Sequence, residues 1–128
     1  MKTDIHTEND LEIIITDIIQ QLGIPANIKG YQYLRYALIL CAENGEMAAS
    51  ITKLLYPAIA KKYDTTVICV SSAISRAIEV MWDKRNEEVL CLYFGSTILK
   101  RQGKPTNGEF IATVSDRLRL NLKAKKKK

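Results

Sequence analysis

Residues 50–82 read SITKLLYPAIAKKYDTTVICVSSAISRAIEVMW, and this stretch decides the fold of the chain. Its first half is apolar at helical spacing, and Pro57 predicts a break or kink just before the proline, which is best tolerated in a first helical turn. Polar residues 64–66 then supply a threonine that can cap a helix from about Thr66 to Lys84. The apolar face of that helix is formed by Val70, Ile74, Ala77, Ile78 and Met81. Two helices joined by a short turn predict a helix-turn-helix.

The flanking segments repeat the helical spacing and lack strict alternation of apolar and polar residues, so the chain is predicted to be all-α. On the N-terminal side, an apolar stripe from Leu11 to Leu22 ends at Gly23, and a second helix is expected from about Tyr31 to Asn44. On the C-terminal side, a helix is expected from about Glu87 to Phe94. The last helix opens with Thr106-Asn107-Gly108-Glu109, which has the spacing of a capping box.

The length and charge distribution predict one domain with two polar ends. Residues 1–9 form an acidic extension, 10–122 the helical domain, and 123–128 (KAKKKK) a tail expected to be disordered because like charges repel. The net charge is +5, and the tail holds five of the 19 Lys and Arg residues, so the rest of the chain balances its 14 acids. The high pI therefore does not by itself indicate a nucleic-acid surface.

Composition excludes several functional classes. No apolar run of about 18 residues indicates a membrane span, and the acidic N-terminus is unlike a secretory signal. The cysteines at 41, 69 and 91 form no CxxC pair and His6 is the only histidine, so neither a disulfide framework nor a metal site is expected. No catalytic set and no phosphate-binding glycine loop emerges, so we expect no enzyme and no cofactor, and a cytoplasmic location.

Several blocks of sequence, in order, carry a resemblance to a known family. They are IPANIKGYQYLRYAL (24–38), SITKLLYPAIAKKYDTT (50–66), AIEVMW (77–82) and KPTNGEFIATVSDRLRL (104–120). Over roughly residues 10–120 the chain resembles the DNA-binding effector domain of the stage zero sporulation protein A family of endospore-forming bacteria. The resemblance implies a compact six-helix domain with a helix-turn-helix that binds double-stranded promoter DNA, regulates sporulation genes and pairs as tandem copies on adjacent sites.

The resemblance also assigns candidate roles to individual residues, with the helix at about 66–84 in the major groove. The base-facing candidates are Cys69, Ser71, Ser72, Ser75 and Arg76. The phosphate-contacting candidates are Ser50, Thr52, Lys53, Thr65, Thr66 and Lys104. Candidates for contact with the sigma subunit of RNA polymerase are Lys84, Arg85, Glu87 and Glu88. For Ser71, Ser72 and Ser75 the alternative is a plain solvent face, and for Cys69 it is partial burial under the turn. For the polymerase candidates the alternative is an ordinary charged helix start.

Two departures from the family pattern affect these expectations. No α/β receiver domain precedes the matching blocks, so the chain is either a fragment of a longer regulator or works without control by phosphorylation. Family members carry Arg and Glu at positions equivalent to 69, 71, 72 and 75, where this chain has Cys and Ser. We therefore expect altered or weakened sequence specificity. The alternative is a divergent paralogue that no longer reads DNA and acts through contacts with a full-length regulator or with polymerase.

Overall fold

The computed structural model describes residues 8–101 and 103–126, and this part of the chain is helical without any strand. Its seven α-helices are α1 (Glu8–Leu22), α2 (Lys29–Glu43), α3 (Glu46–Ala49), α4 (Tyr56–Lys62), α5 (Val67–Lys84), α6 (Glu87–Phe94) and α7 (Asn107–Lys126). A π-helical turn at Ile51–Leu55 leads into α4, and a 3-10 turn at Ser96–Lys100 follows α6. The predicted all-α fold is confirmed, and the helix beyond the six implied by the resemblance is the four-residue α3.

Helix α2 is the centre of the hydrophobic core, because it packs against α1, α5 and α7. Its buried residues are Gly30, Tyr31, Tyr33, Leu34, Ala37, Leu38, Ile39 and Cys41. The apolar stripes predicted from helical spacing supply the surrounding walls, with Ile15 and Ile19 of α1 and Phe110 of α7 fully buried. Each large aliphatic side chain buried in this way stabilises the fold by about 1.5–3 kcal/mol. Within the described ranges, no helix combines the length and apolar character needed to cross a lipid bilayer.

Gly30 of α2 lies where the backbones of two helices come very close together. A Cβ atom at Gly30 would lie 2.3 Å from the carbonyl oxygen of Ala73 and 2.7 Å from the Cβ of Ala77, both on α5. These distances are too short for any side chain, so glycine lets the two helices cross in direct contact. The small residues on both sides therefore fix where α5 sits on the body of the domain.

The break predicted before Pro57 is present as a change of helix type. The backbone N–H groups of Leu54 and Leu55 both donate to the carbonyl oxygen of Ser50, at 2.8 and 3.2 Å, which forms the π-helical turn. Helix α4 then begins at Tyr56, with Pro57 in its first turn. Pro57 has no N–H to donate. The π-helical turn therefore ends just before it, and the proline lies in the first turn of α4, where its nitrogen needs no hydrogen bond within the helix.

Helix α1 ends where the sequence predicted, whereas α7 extends into the predicted tail. Gly23 ends α1 as predicted, with a φ of +92° that glycine adopts without strain. Helix α7 continues to Lys126 in the structure, where the sequence predicted a disordered tail over residues 123–128. Ala and Lys are strong helix formers, and cations are favourable near a helix C-terminus, which outweighs their mutual repulsion. Residues 127–128 and the predicted extension up to residue 7 lie outside the described residues.

Replacing Gly30 with alanine is expected to lower the free energy of unfolding by about 1–3 kcal/mol, because the added methyl group overlaps a backbone carbonyl that cannot move alone. The matched control is Gly108→Ala in α7, where a Cβ would meet only the Cδ1 of Ile51 at 3.6 Å. That control is expected to be neutral or slightly stabilising. Denaturant unfolding followed by circular dichroism measures both, and equal stability of the two variants would refute the close-packing argument.

Candidate nucleic-acid interface

Helices α4 and α5 and the turn between them form the predicted helix-turn-helix. Asp64 in the turn has a φ of +54°, and the N–H of Thr65 donates to the carbonyl oxygen of Ala60 at 2.9 Å. Thr66 is the N-cap of α5, because its side-chain oxygen accepts a hydrogen bond of 3.1 Å from the N–H of Cys69. The predicted threonine cap is thereby confirmed, and the start of α5 is fixed by local hydrogen bonds.

Helix α5 has one fully buried side and one open side. Val70, Ile74 and Met81, predicted to anchor it, are each 0% exposed. On the other side, Cys69, Ser72 and Arg76 are exposed and Ser71 and Ser75 are half-buried. The structure therefore leaves the polar face of α5 accessible to a macromolecule, and no other described part of the chain covers it.

A groove between α5 and the start of α7 brings several of the predicted residues together. This α5–α7 groove has a volume of about 570 Å³. It is lined by Ser71, Ser72, Ser75, Arg76, Glu79, Lys104, Thr106 and Asn107. Lys104, which the sequence placed only on a loop, thus lies beside the serines of α5. Glu79, Thr106 and Asn107 were not among the predicted site residues.

Asn107 holds the start of α7 against the helix-turn-helix. Its side-chain amide donates to the hydroxyl of Tyr56 in α4 and to the carbonyl oxygen of Ser71 in α5, both at 3.0 Å. These bonds join residues that are 51 and 36 positions apart in the chain. The wall of the α5–α7 groove is therefore positioned by direct hydrogen bonds to both helices of the motif.

The loop before α7 is fixed by the predicted capping box, which is confirmed. The N–H of Glu109 donates to the Thr106 hydroxyl at 3.0 Å, and the N–H of Thr106 donates to the Glu109 carboxylate at 2.9 Å. Arg101 adds an ion pair with Glu109 at 3.1 Å. The hydrogen bond from Arg101, followed by that from the Thr106 backbone, holds the pKa of Glu109 below its ordinary value. Lys104 lies between these clamped residues.

A second group of predicted phosphate-contacting residues lies on the π-helical turn. Ser50, Thr52 and Lys53 line a shallow groove of about 410 Å³, and Thr52 and Lys53 are exposed. Ile51 of this turn lies against Gly108, close to the start of α7. The phosphate candidates therefore occupy three places around α5: this turn, the threonines at its N-terminus, and Lys104.

Two charged groups beside these residues escaped the sequence analysis. Lys29, at the start of α2, is exposed and lies near enough to Cys69 to contribute to a lowered pKa of that thiol. Hydrogen bonds with Thr66 and Thr65 are the larger causes of that lowering. Glu79 pairs with Arg76 at 3.3 Å. Local sequence does not reveal that Lys29 lies beside α5. Its position follows from the contact of the neighbouring Gly30 with α5, which only the fold shows.

The candidates for polymerase contact cluster at the turn between α5 and α6. Lys84, Arg85, Glu87 and Glu88 are all exposed. Arg85 ends α5 in the left-handed conformation, with its guanidinium 4.7 Å from the ring centroid of Trp82. Asn86 caps α6 by accepting a hydrogen bond from the N–H of Val89 at 3.2 Å. This turn lies at the opposite end of α5 from Thr66, so it is separate from the capped N-terminus.

A model of a known protein family matches most of the chain. The family model described as sporulation initiation factor Spo0A C terminal matches residues 15–118. The chain belongs to the Spo0A C-terminal family. The match runs from the middle of α1 into α7, so it covers the helix-turn-helix, the α5–α7 groove and the π-helical turn together.

Membership in the Spo0A C-terminal family gives the general function. The chain is a DNA-binding effector domain of a sporulation transcription regulator and does not belong to an enzyme family. Within the residues that the structure describes, no three His, Cys, Asp or Glu side chains lie together as a metal site. The cysteines at 41, 69 and 91 are free.

Replacing Glu109 with glutamine is expected to lower the stability of the domain at pH 7 and to have a smaller effect in acid. A carboxylate whose pKa is lowered by folding stabilises the folded state above its unfolded pKa, near 4.5. That contribution disappears as the pH falls from there through the lower folded pKa. Urea unfolding of both proteins at several pH values from 7 to 3 measures the difference, and a difference that stays constant with pH would contradict this assignment.

Proposed function

We propose that α5 acts as the recognition helix and enters the major groove of double-stranded promoter DNA. An α-helix with its side chains is about 10–12 Å wide and the major groove about 12 Å, so one open helix face fits the groove. The residues proposed to face the base edges are Cys69, Ser71, Ser72, Ser75 and Arg76. The observation that carries this proposal is that α5 buries one side completely while its polar side remains open along the α5–α7 groove.

The residues around α5 are proposed to hold the DNA backbone. They are Ser50, Thr52, Lys53, Thr65, Thr66 and Lys104. Hydroxyl groups, lysines and helix N-termini are usual partners of phosphate oxygens, and such contacts orient the protein without reading the sequence. Their three locations around α5 support this role, because phosphates line both edges of the groove that a recognition helix enters.

The uncharged character of the open face is proposed to alter or weaken sequence specificity. Arginine discriminates guanine by about 1–3 kcal/mol for a good pair of hydrogen bonds, whereas serine is too short for the same contact. Losing two or three such contacts removes roughly 3–6 kcal/mol from a typical specificity margin of about 4–10 kcal/mol. Arg76 is the one arginine that remains on this face of α5.

The same arrangement leaves room for protein partners at the other end of α5. We propose that Lys84, Arg85, Glu87 and Glu88 contact the sigma subunit of RNA polymerase in the cytoplasm, and that two copies occupy tandem DNA sites. All four side chains are exposed, and they lie roughly 25 Å along α5 from its capped N-terminus, at about 1.5 Å per residue. They therefore lie beyond the residues of α5 that are proposed to face the bases.

One observation favours a second candidate function, an interaction protein that does not read DNA. Ile68, in the first turn of α5, is 77% exposed, and Cys69 beside it is also exposed. With Ser72 they form a small uncharged patch, which suits a protein surface better than a phosphate-lined groove. In this alternative the domain binds a full-length regulator or polymerase through that patch.

A titration of duplex DNA separates the two candidates. The domain, with and without residues 123–128, is titrated with a promoter site bound by family members and with scrambled DNA at two salt concentrations. We expect site preference to survive removal of the lysines, whose contribution is sequence-blind and sensitive to salt. If all binding disappears with the lysines, the interaction candidate replaces the recognition-helix proposal.

Replacing Ser72 with arginine is expected to strengthen DNA binding, because a guanidinium at this exposed position can bond to guanine or to phosphate, by about 1–3 kcal/mol if it finds a guanine. The matched control is Asn121→Arg, which adds the same charge on an exposed part of α7. That position lies roughly 21 Å along α7 from Asn107, at about 1.5 Å per residue. Equal affinities of the two variants, measured by fluorescence anisotropy, would show that this face does not meet DNA.

A further inference from the structure

Glu79 lies on the open face of α5, in the second half of the helix. It lies seven residues after Ser72, close to two helical turns, so both side chains leave the helix in nearly the same direction. Its side chain is 50% exposed and lines the α5–α7 groove together with Arg76 and Lys104. Seven residues span about 10.5 Å along the helix axis, which corresponds to roughly three base pairs of duplex.

Glu79 is also the partner of the one arginine on this face. Its carboxylate oxygen lies 3.3 Å from the guanidinium of Arg76, and the two are the only charged residues between Thr65 and Trp82. Both side chains are at least half exposed, so the pair contributes little to folding stability. Its main physical effect is to restrict where the guanidinium of Arg76 points, because two side chains one helical turn apart are held together.

A carboxylate at a DNA-facing surface has an electrostatic cost, which the ion pair with Arg76 reduces and a base contact can offset. Phosphates repel it in every duplex, whatever the sequence. In the major groove, however, a carboxylate can accept a hydrogen bond from the N4 amino group of cytosine. The oxygen acceptors of guanine and thymine repel it, and the amino group of adenine stands beside the acceptor N7. Glu79 therefore lowers affinity least for sequences that place cytosine beside it.

We propose that Glu79 is a specificity-determining residue of this interface, which selects cytosine while it holds Arg76 toward a neighbouring base. The proposal rests on the recognition-helix function proposed above. Glu79 gives the open face of α5 more sequence specificity than its serines alone would. Its carboxylate disfavours some bases and accepts a hydrogen bond from another. The arginine and the glutamate then act as a single recognition unit one helical turn long.

The variant Glu79→Gln tests the proposal, with Asp116→Asn as the matched control. Asp116 forms an exposed ion pair with Arg119 at 3.5 Å on α7, with the same spacing of three residues. Affinities are measured for a family promoter site and for a panel of duplexes that each change one base pair. We expect the wild-type domain to prefer cytosine at one position by about fivefold or more. Glutamine should transfer this preference to adenine, and the control should leave it unchanged.

Failure of the Glu79 proposal can be distinguished from failure of the recognition-helix function on which it rests. If Glu79→Gln strengthens binding to every duplex equally and leaves each base preference as it was, Glu79 only repels phosphate and the proposal is overturned. If the wild-type domain without residues 123–128 has no preference at any position, the recognition-helix function itself fails and the proposal falls with it. Because Glu79 is exposed, circular dichroism is expected to show the same fold for both variants and the wild type.

Discussion

The contact between α2 and α5 at Gly30 is the constraint on which the rest of the interface depends. Because no side chain separates the two backbones at this crossing, Ala73 and Ala77 rest directly on α2, and the inner side of α5 is sealed. A helix held so firmly on one side can present the other side as a rigid surface. Rigid presentation matters for recognition, since ordering a loose helix on binding would consume part of the interaction energy.

The start of α7, which forms the other wall of the α5–α7 groove, is held in place by polar contacts and not by apolar burial. Asn107 links α7 to both helices of the motif, and the capping box with Arg101 fixes the loop that carries Lys104. The α5–α7 groove therefore has one wall set by the core and another set by hydrogen bonds. The Glu109 carboxylate takes part in the polar wall, and its hydrogen bonds with Arg101 and Thr106 hold its pKa below the ordinary value.

Features that depend on neighbouring residues in sequence were predictable, and features that depend on helix crossings were not. The bounds of α6, the Thr66 cap and the Thr106–Glu109 capping box follow from patterns a few residues long, and each is confirmed. The Gly30 contact and the hydrogen bonds of Asn107 join residues tens of positions apart, which no local pattern reveals. Glu79 was missed for the same reason, because its membership in the groove depends on where α7 begins.

The helical form of residues 123–126 changes how far the C-terminal cations extend from the domain. Four residues of extended chain would span about 13 Å, whereas the same residues in a helix advance only about 6 Å. Their backbone continues α7, which packs in the core, so it does not move through a large volume as an unstructured chain would. A polyanion attracted to the helical part of this end is therefore drawn close to the body of the domain and not to the end of a long tether.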